Sequence, residues 1–121
     1  MKLIAEQNAF LLDISKLINY INLKDNGIFI TGGELWRTPE MQKIYIEQGK
    51  SKTTNSMHLK RLAIDLNFFR LIKKANSFEY VPVITKEELK IYGDFWEGLN
   101  PQNRWGGNFN FYDGGHFERH V

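Results

Sequence analysis

The sequence predicts an α+β fold, with about three helices packed against a small antiparallel sheet. Three observations lead there. Apolar residues recur at helical spacing in two segments, around 10–21 and 89–99. Between them, residues 62–69 alternate apolar and polar in the manner of a half-buried strand. Glycine, proline and short polar runs punctuate the chain between these segments. The 121 residues, with 9 Phe, 5 Tyr and 3 Trp to build one core, are read as a single domain, 1–121.

The first helix is expected to bury the stripe Phe10, Leu11, Ile14, Leu17, Ile18 and Ile21. Ile28-Phe29-Ile30 is a short strand stopped by Gly32-Gly33. A second helix opens with Thr38 as N-cap and Pro39 in the first helical position, carries Met41, Ile44 and Tyr45 on one side, and ends at Gly49. Residues 50–56 form a polar loop that delivers His58. In the strand that follows, Leu62, Ile64, Leu66 and Phe68 point one way and Ala63, Asp65 and Asn67 the other. Phe78–Ile84 is a further strand, paired with 68–73 through a turn at Ala75-Asn76-Ser77, and Pro82 puts it at an edge. Thr85 to Glu88 fits a capping box, followed by a helix with the stripe Leu89, Tyr92, Phe95, Trp96 and Leu99, stopped by Asn100-Pro101. The tail from Arg104 reads as a loop and a final strand near His116.

Composition narrows the chemistry. There is no cysteine, so disulfides and thiol nucleophiles are excluded and any metal must be held by nitrogen and oxygen. The net charge is +2, mildly basic. No apolar run approaches the ~20 residues of a membrane span, and Glu6 and Asp13 interrupt any secretory leader, so synthesis without a signal peptide is expected. The basic residues Lys50, Lys52, Lys60 and Arg61 read as a solvated loop that would also attract an anionic polymer such as cell wall. No nucleic-acid-binding module is visible, and a monomer is expected.

Two histidines and one carboxylate stand out. A catalytic zinc needs three protein ligands and an open position, and His58, Asp65 and His116 would supply two nitrogens and one oxygen. Asp113, three residues before His116 across two glycines, would face the open position as general base. Arg37, just before the second helix, would neutralise the oxyanion. Spacing alone favours plainer readings: a surface His58, a His116 bonded to a backbone carbonyl, and an Asp65 paired with a Lys or Arg. If 116–120 is a strand, Glu118 shares a face with His116 and would orient it, while the penultimate His120 is read as uninvolved.

Taken in order, Ser56-Met57-His58, Ala63-Ile64-Asp65, Trp105-Gly106-Gly107 and Asp113-Gly114-Gly115-His116 resemble the zinc D-alanyl-D-alanine carboxypeptidase family. That family holds VanY-type carboxypeptidases, VanX-type dipeptidases and phage L-alanyl-D-glutamate endopeptidases. The match runs from about Gly32 to Glu118. The resemblance implies zinc at His58, Asp65 and His116, a general base at Asp113, a transition-state arginine at Arg37, and Ser56 as a substrate contact or a support for the ligands. Trp105 would line the substrate groove by stacking or else belong to the core. Most members have glycine where this chain has Arg61, which would contact a substrate carboxylate or point to solvent. The implied function is zinc-dependent hydrolysis of peptide bonds in the peptidoglycan stem, of the endolysin type, acting on the wall after holin-type release. The alternatives are a D-alanyl-D-alanine carboxypeptidase and a non-catalytic wall-binding module on the same scaffold.

Overall fold

The computed structural model describes residues 2–25 and 27–121. Three helices and five strands follow in the order α1 (Lys2–Lys24), β1 (Ile28–Gly32), α2 (Pro39–Glu47), β2 (Ala63–Lys74), β3 (Ser77–Pro82), α3 (Lys86–Leu99), β4 (Asn103–Trp105) and β5 (His116–Arg119). The sheet runs β1-β2-β5-β4, with β3 also paired to β2, and every pairing is antiparallel. The α+β expectation is therefore met. No helix among the described residues is long and apolar enough to cross a membrane.

One core joins the elements. Phe10, Ile14, Leu17 and Ile21 of α1 meet Leu89, Tyr92 and Trp96 of α3 over Leu66, Phe68 and Phe117 of the sheet. Aromatic edges lock this contact: Phe10 stands edge-on to Trp96 at 5.6 Å, and Phe68 stacks on Tyr92 at 5.5 Å. The helix periodicity located α1 and its inward positions, but Leu11 and Ile18, assigned to the same stripe, are exposed. Asp13 replaces them inside, where it accepts a hydrogen bond from Asn103 Nδ2 at 3.1 Å.

The second helix starts as expected, with Thr38 accepting the Met41 N–H at 3.0 Å and Pro39 at its first position. Its burial is the reverse of the apolar pattern. Met41 and Ile44 are exposed, and the buried residue is Gln42. This helix docks against a polar site, so its inward face is polar.

β2 is the long strand that organises the site. Its start, Ala63–Asp65, pairs with Glu118–His116 of β5, and its far end forms the predicted hairpin with β3. The hairpin strand closes at Pro82, two residues before the expected end. β4 falls at the start of the tail, where the sequence from Arg104 predicts a loop. Its three residues carry too short a pattern to show, yet they pair with Phe117–Arg119 of β5.

Candidate metal centre and catalytic cleft

The sheet register brings two of the expected ligands together, since Asp65 is directly opposite His116. His58 arrives from a 3-10 turn, Met57–Lys60, whose cap is Ser56: its Oγ accepts the His58 N–H at 3.2 Å. On the other side of β2, Asp65 N–H donates to the Glu34 carbonyl at 3.0 Å, and Gly33 N–H to the Asp65 carbonyl at 2.8 Å. That pairing carries β1's line onward and sets the Leu35 carbonyl beside His58.

The imidazole hydrogen bonds define which nitrogens are free. His58 Nδ1 is 3.0 Å from the Leu35 carbonyl. A ring nitrogen facing a carbonyl must donate, so the lone pair is left on Nε2. That Nε2 is buried without a hydrogen-bond partner, although Asp65 Oδ1 stands 3.3 Å away. The two atoms are close but not aligned as donor and acceptor. His116 is held the other way round: its Nε2 donates to Glu118 Oε1 at 2.7 Å, and its Nδ1 faces Asp65 Oδ1 at 3.4 Å. One donor atom from each of His58, Asp65 and His116 thus lies within 4.8 Å of the others. A buried, orphaned nitrogen lone pair beside a carboxylate and a second imidazole is the donor set that zinc takes. Each imidazole is also fixed from behind, by a carbonyl or a carboxylate, as ligating histidines are.

The electrostatics are those of a site built for a cation. Burial would raise the Asp65 carboxyl, but His116 and His58 outweigh it and hold the group well below the usual carboxylate range. Burial depresses His116, yet Asp65 and Glu118 overcome it and raise the imidazole to about 9. Glu118 is itself lowered by His116 and His120 against the cost of its burial.

Asp113 stands at the mouth, its Oδ2 3.9 Å from His116 Nδ1 and its side chain half exposed. Partial burial raises its pKa, helped by the Asp65 charge and opposed by His116, His58 and Arg37. Its backbone is pinned, with N–H donating to the Gly106 carbonyl at 3.0 Å and C=O accepting from His116 N–H at 3.1 Å.

Arg37 enters from the opposite wall. Its Nε donates to Glu34, and its Nη1 to Gln42 Oε1 at 2.7 Å and, more weakly, to Ser56 Oγ at 3.5 Å. The guanidinium lies over the Tyr45 ring at 4.6 Å. Arg37, Ser56, His58, Asp65, Asp113 and His116 line one cleft of about 520 Å³, rimmed by Lys50, Lys52 and Arg104. Glu34, Gln42 and Tyr45, which fix the arginine, were not singled out from sequence as site residues. No pattern in the sequence marks them, because the apolar positions of α2 suggest the opposite inner face.

Three expected site residues stand elsewhere or do something else. Trp105 is fully buried: the structure puts it in the core, not in the groove. Its indole N–H donates to the Gly114 carbonyl at 2.8 Å, and its faces lie against Gly93 and Gly107, where a Cβ would collide with the rings. Arg61 does not line the cleft. Its φ of 55° closes the 3-10 turn in the left-handed region, and its guanidinium stacks on Trp36 at 4.7 Å. The backbone there favours glycine, and Arg61 occupies it without reaching the cleft. Ser56 lines the cleft, but its hydroxyl is engaged by His58 and Arg37. His120 pairs with Glu118 Oε2 at 3.1 Å, outside the three-ligand cluster.

Comparison with known proteins gives matches of two kinds, to a family model and to solved structures. A family model described as D-alanyl-D-alanine carboxypeptidase matches residues 49–119, more than half the chain. The crystal structure of the Serratia marcescens L-Ala D-Glu endopeptidase ChiX superposes with a TM-score of 0.57 at 21% identity, over 76% of this chain and 67% of that one. At that identity the likeness speaks for the fold. No curated protein sequence matches significantly.

Proposed function

The chain belongs to the D-alanyl-D-alanine carboxypeptidase family, a family of peptidases, and from that premise we propose a single-domain, zinc-dependent endopeptidase that cuts the L-alanyl-D-glutamate bond of the peptidoglycan stem. The observation that carries this reading is the orphaned Nε2 of His58, facing Asp65 and His116 in the cleft that also holds Asp113 and Arg37. His58 Nε2, Asp65 Oδ1 and His116 Nδ1 would hold the zinc. Bound there, zinc supplies Lewis acidity and lowers the pKa of water.

The chain's own groups supply the rest. Asp113 takes a proton from the attacking water and passes it to the leaving amine nitrogen. Its raised pKa suits both halves of that transfer. Arg37, immobilised by Glu34, Gln42 and Tyr45, lies ready to pair with the negative charge that develops on the carbonyl oxygen. Because those partners hold it before substrate arrives, little reorganisation is needed at that moment. Glu118 and the Leu35 carbonyl keep the two imidazoles in their tautomers.

A D-alanyl-D-alanine carboxypeptidase is the second reading, favoured by the family's own description and by the cations at the rim, which suit a terminal carboxylate. The cleft is open toward a second one across Asp65 and Asp113, which suits cleavage within a chain. Digestion of purified peptidoglycan with the zinc-loaded protein, followed by mass analysis of the new ends, separates the readings. Free L-alanine carboxyl ends on the wall support the endopeptidase, and released D-alanine supports the carboxypeptidase. No zinc-dependent release sinks both and leaves a wall-binding module.

A further inference from the structure

Two clefts meet at the candidate site. The cleft already described holds Arg37 and carries Lys50, Lys52 and Arg104 at its rim. A second, of about 690 Å³, lies on the other side of Asp65 and Asp113, and both residues line both clefts. Apart from those two aspartates no charged group lines the second cleft among the described residues. Its walls are Asn67 and Phe69 of β2, Pro82 at the end of β3, Ile84 and Tyr112. Ile84 is 69% exposed and Tyr112 42%, so both present apolar surface that nothing in the fold covers. The hydroxyl of Tyr112 donates to the Ile84 carbonyl at 2.6 Å, tying the loop that bears Asp113 to the segment after β3. The two clefts meet at Asp65 and Asp113 and differ in charge: on the first side Glu34 and Glu118 are paired with Arg37 and with His116 and His120, which leaves Lys50, Lys52 and Arg104 without an ion-pair partner among the described residues, and the second side is uncharged and apolar beyond the shared aspartates.

We infer that this asymmetry orients the substrate: the uncharged arm takes the acyl side of the scissile bond, including the lactyl-N-acetylmuramic acid to which the stem is attached. The inference rests on the endopeptidase reading above. In the stem the D-glutamyl residue carries a free carboxylate on the amine side of the bond, and the L-alanyl nitrogen is acylated by the sugar's lactyl group. The carboxylate matches the arm with Lys50, Lys52 and Arg104. The opposite side of the bond then lies along Asn67, Ile84 and Tyr112, where the lactyl methyl and the sugar's apolar face meet apolar walls and the acetamido group meets the Asn67 amide. The proposed occupant is therefore part of the substrate itself, continuous with the catalytic cleft.

The test uses two synthetic stem peptides that differ only at their N-terminus, one N-acetylated on L-alanine and one N-acetylmuramoylated, each digested by the full zinc-loaded chain. Covering about 50 Å² of apolar surface is worth roughly tenfold, so kcat/KM for the muramoyl peptide is expected to exceed that for the acetyl peptide by about that factor. Ile84→Ser should bring the ratio toward one, and Ile84→Trp should widen it. The high exposure of Ile84 keeps both variants folded. Equal kcat/KM for the two peptides, or a ratio that neither variant moves, overturns the inference while leaving the peptidase reading standing. Cleavage of neither peptide, or release of D-alanine alone, overturns the endopeptidase reading and this inference with it.

Discussion

A single methyl group added at Gly106 should disable the site without touching any proposed ligand. A Cβ built there falls well inside contact with the Asp113 carbonyl oxygen and 2.8 Å from His116 Cβ. Carbon atoms meet at about 3.5–4.0 Å, so His116 and the Asp113 backbone must retreat by roughly 1 Å. Neither can do so alone. The Asp113 peptide is tied to Gly106 by its own N–H, and His116 is tied to β2 through the Asp65 register. Overpacking of this kind costs about 1–3 kcal/mol of stability. A misplacement of about 1 Å costs on the order of 100-fold in rate. Gly106→Ala is therefore expected to lower the melting temperature modestly, weaken zinc binding and reduce kcat by about two orders of magnitude. The measurements are thermal unfolding, chelator-competition zinc titration and peptide hydrolysis. A variant with wild-type zinc affinity and wild-type kcat would show that the loop from Trp105 to His116 yields freely, and the account of how Asp113 is positioned would fail.

Four further outcomes are expected. Asp113→Ala should keep stoichiometric zinc and lose roughly 10²- to 10⁴-fold in kcat; full activity by mass analysis of digests would remove Asp113 from the reaction. Glu118→Gln keeps an acceptor for His116 Nε2 but loses the charge, so zinc affinity should fall roughly 10- to 100-fold in competition titration. In chelated protein, the His116 imidazole is raised to about 9 by Asp65 and Glu118, against 6.5 in the unfolded chain. Its contribution, of the order of 3 kcal/mol from that difference, is complete below pH 6.5 and lost as pH rises through 9. Asp65 runs the other way, stabilising above its unfolded pKa near 4 and losing this only in strong acid. Melts of metal-free protein should therefore fall between pH 6.5 and 9 while zinc affinity rises over the same range, because the ligand imidazole must be neutral; flat melts over that window would exclude a shared proton at His116. Arg61→Gly trades a left-handed strain of about 1 kcal/mol against a cation–π contact of about 0.5–1 kcal/mol on Trp36, so stability should barely move. Its kcat/KM should stay at the wild-type value, and a tenfold loss would return Arg61 to the substrate.

The parts of this molecule visible in its sequence are those fixed by local physics. The N-cap at Thr38-Pro39 and, Leu11 and Ile18 apart, the inward positions of α1 and α3 depend on residues within a few places of one another, and they were legible. The alternation of β2 put Asp65 opposite Leu66 and Phe68 for the same reason. The parts that stayed hidden depend on contacts across the chain. That Asp65 meets His116 is a matter of register between strands about fifty residues apart, and no periodicity encodes it; only the ordered motifs pointed that way. Trp105 looked like a groove residue because an aromatic beside two glycines suits an exposed platform as well as a tight sandwich. Its burial is decided by Gly93 on α3, distant in sequence. The same holds for Arg37. Its proposed role requires a guanidinium held before substrate arrives, and the holders are Glu34, Gln42 and Tyr45, of which Gln42 is the only buried residue of α2. A helix that buries an amide in place of its Met41 and Ile44 contributes less hydrophobic stabilisation than its apolar side would. The arrangement is intelligible if α2 serves chiefly to hold that guanidinium over the cleft. Sequence patterning finds such a helix but misassigns its inner face, because patterning weighs burial of carbon and this face is organised around one fixed charge.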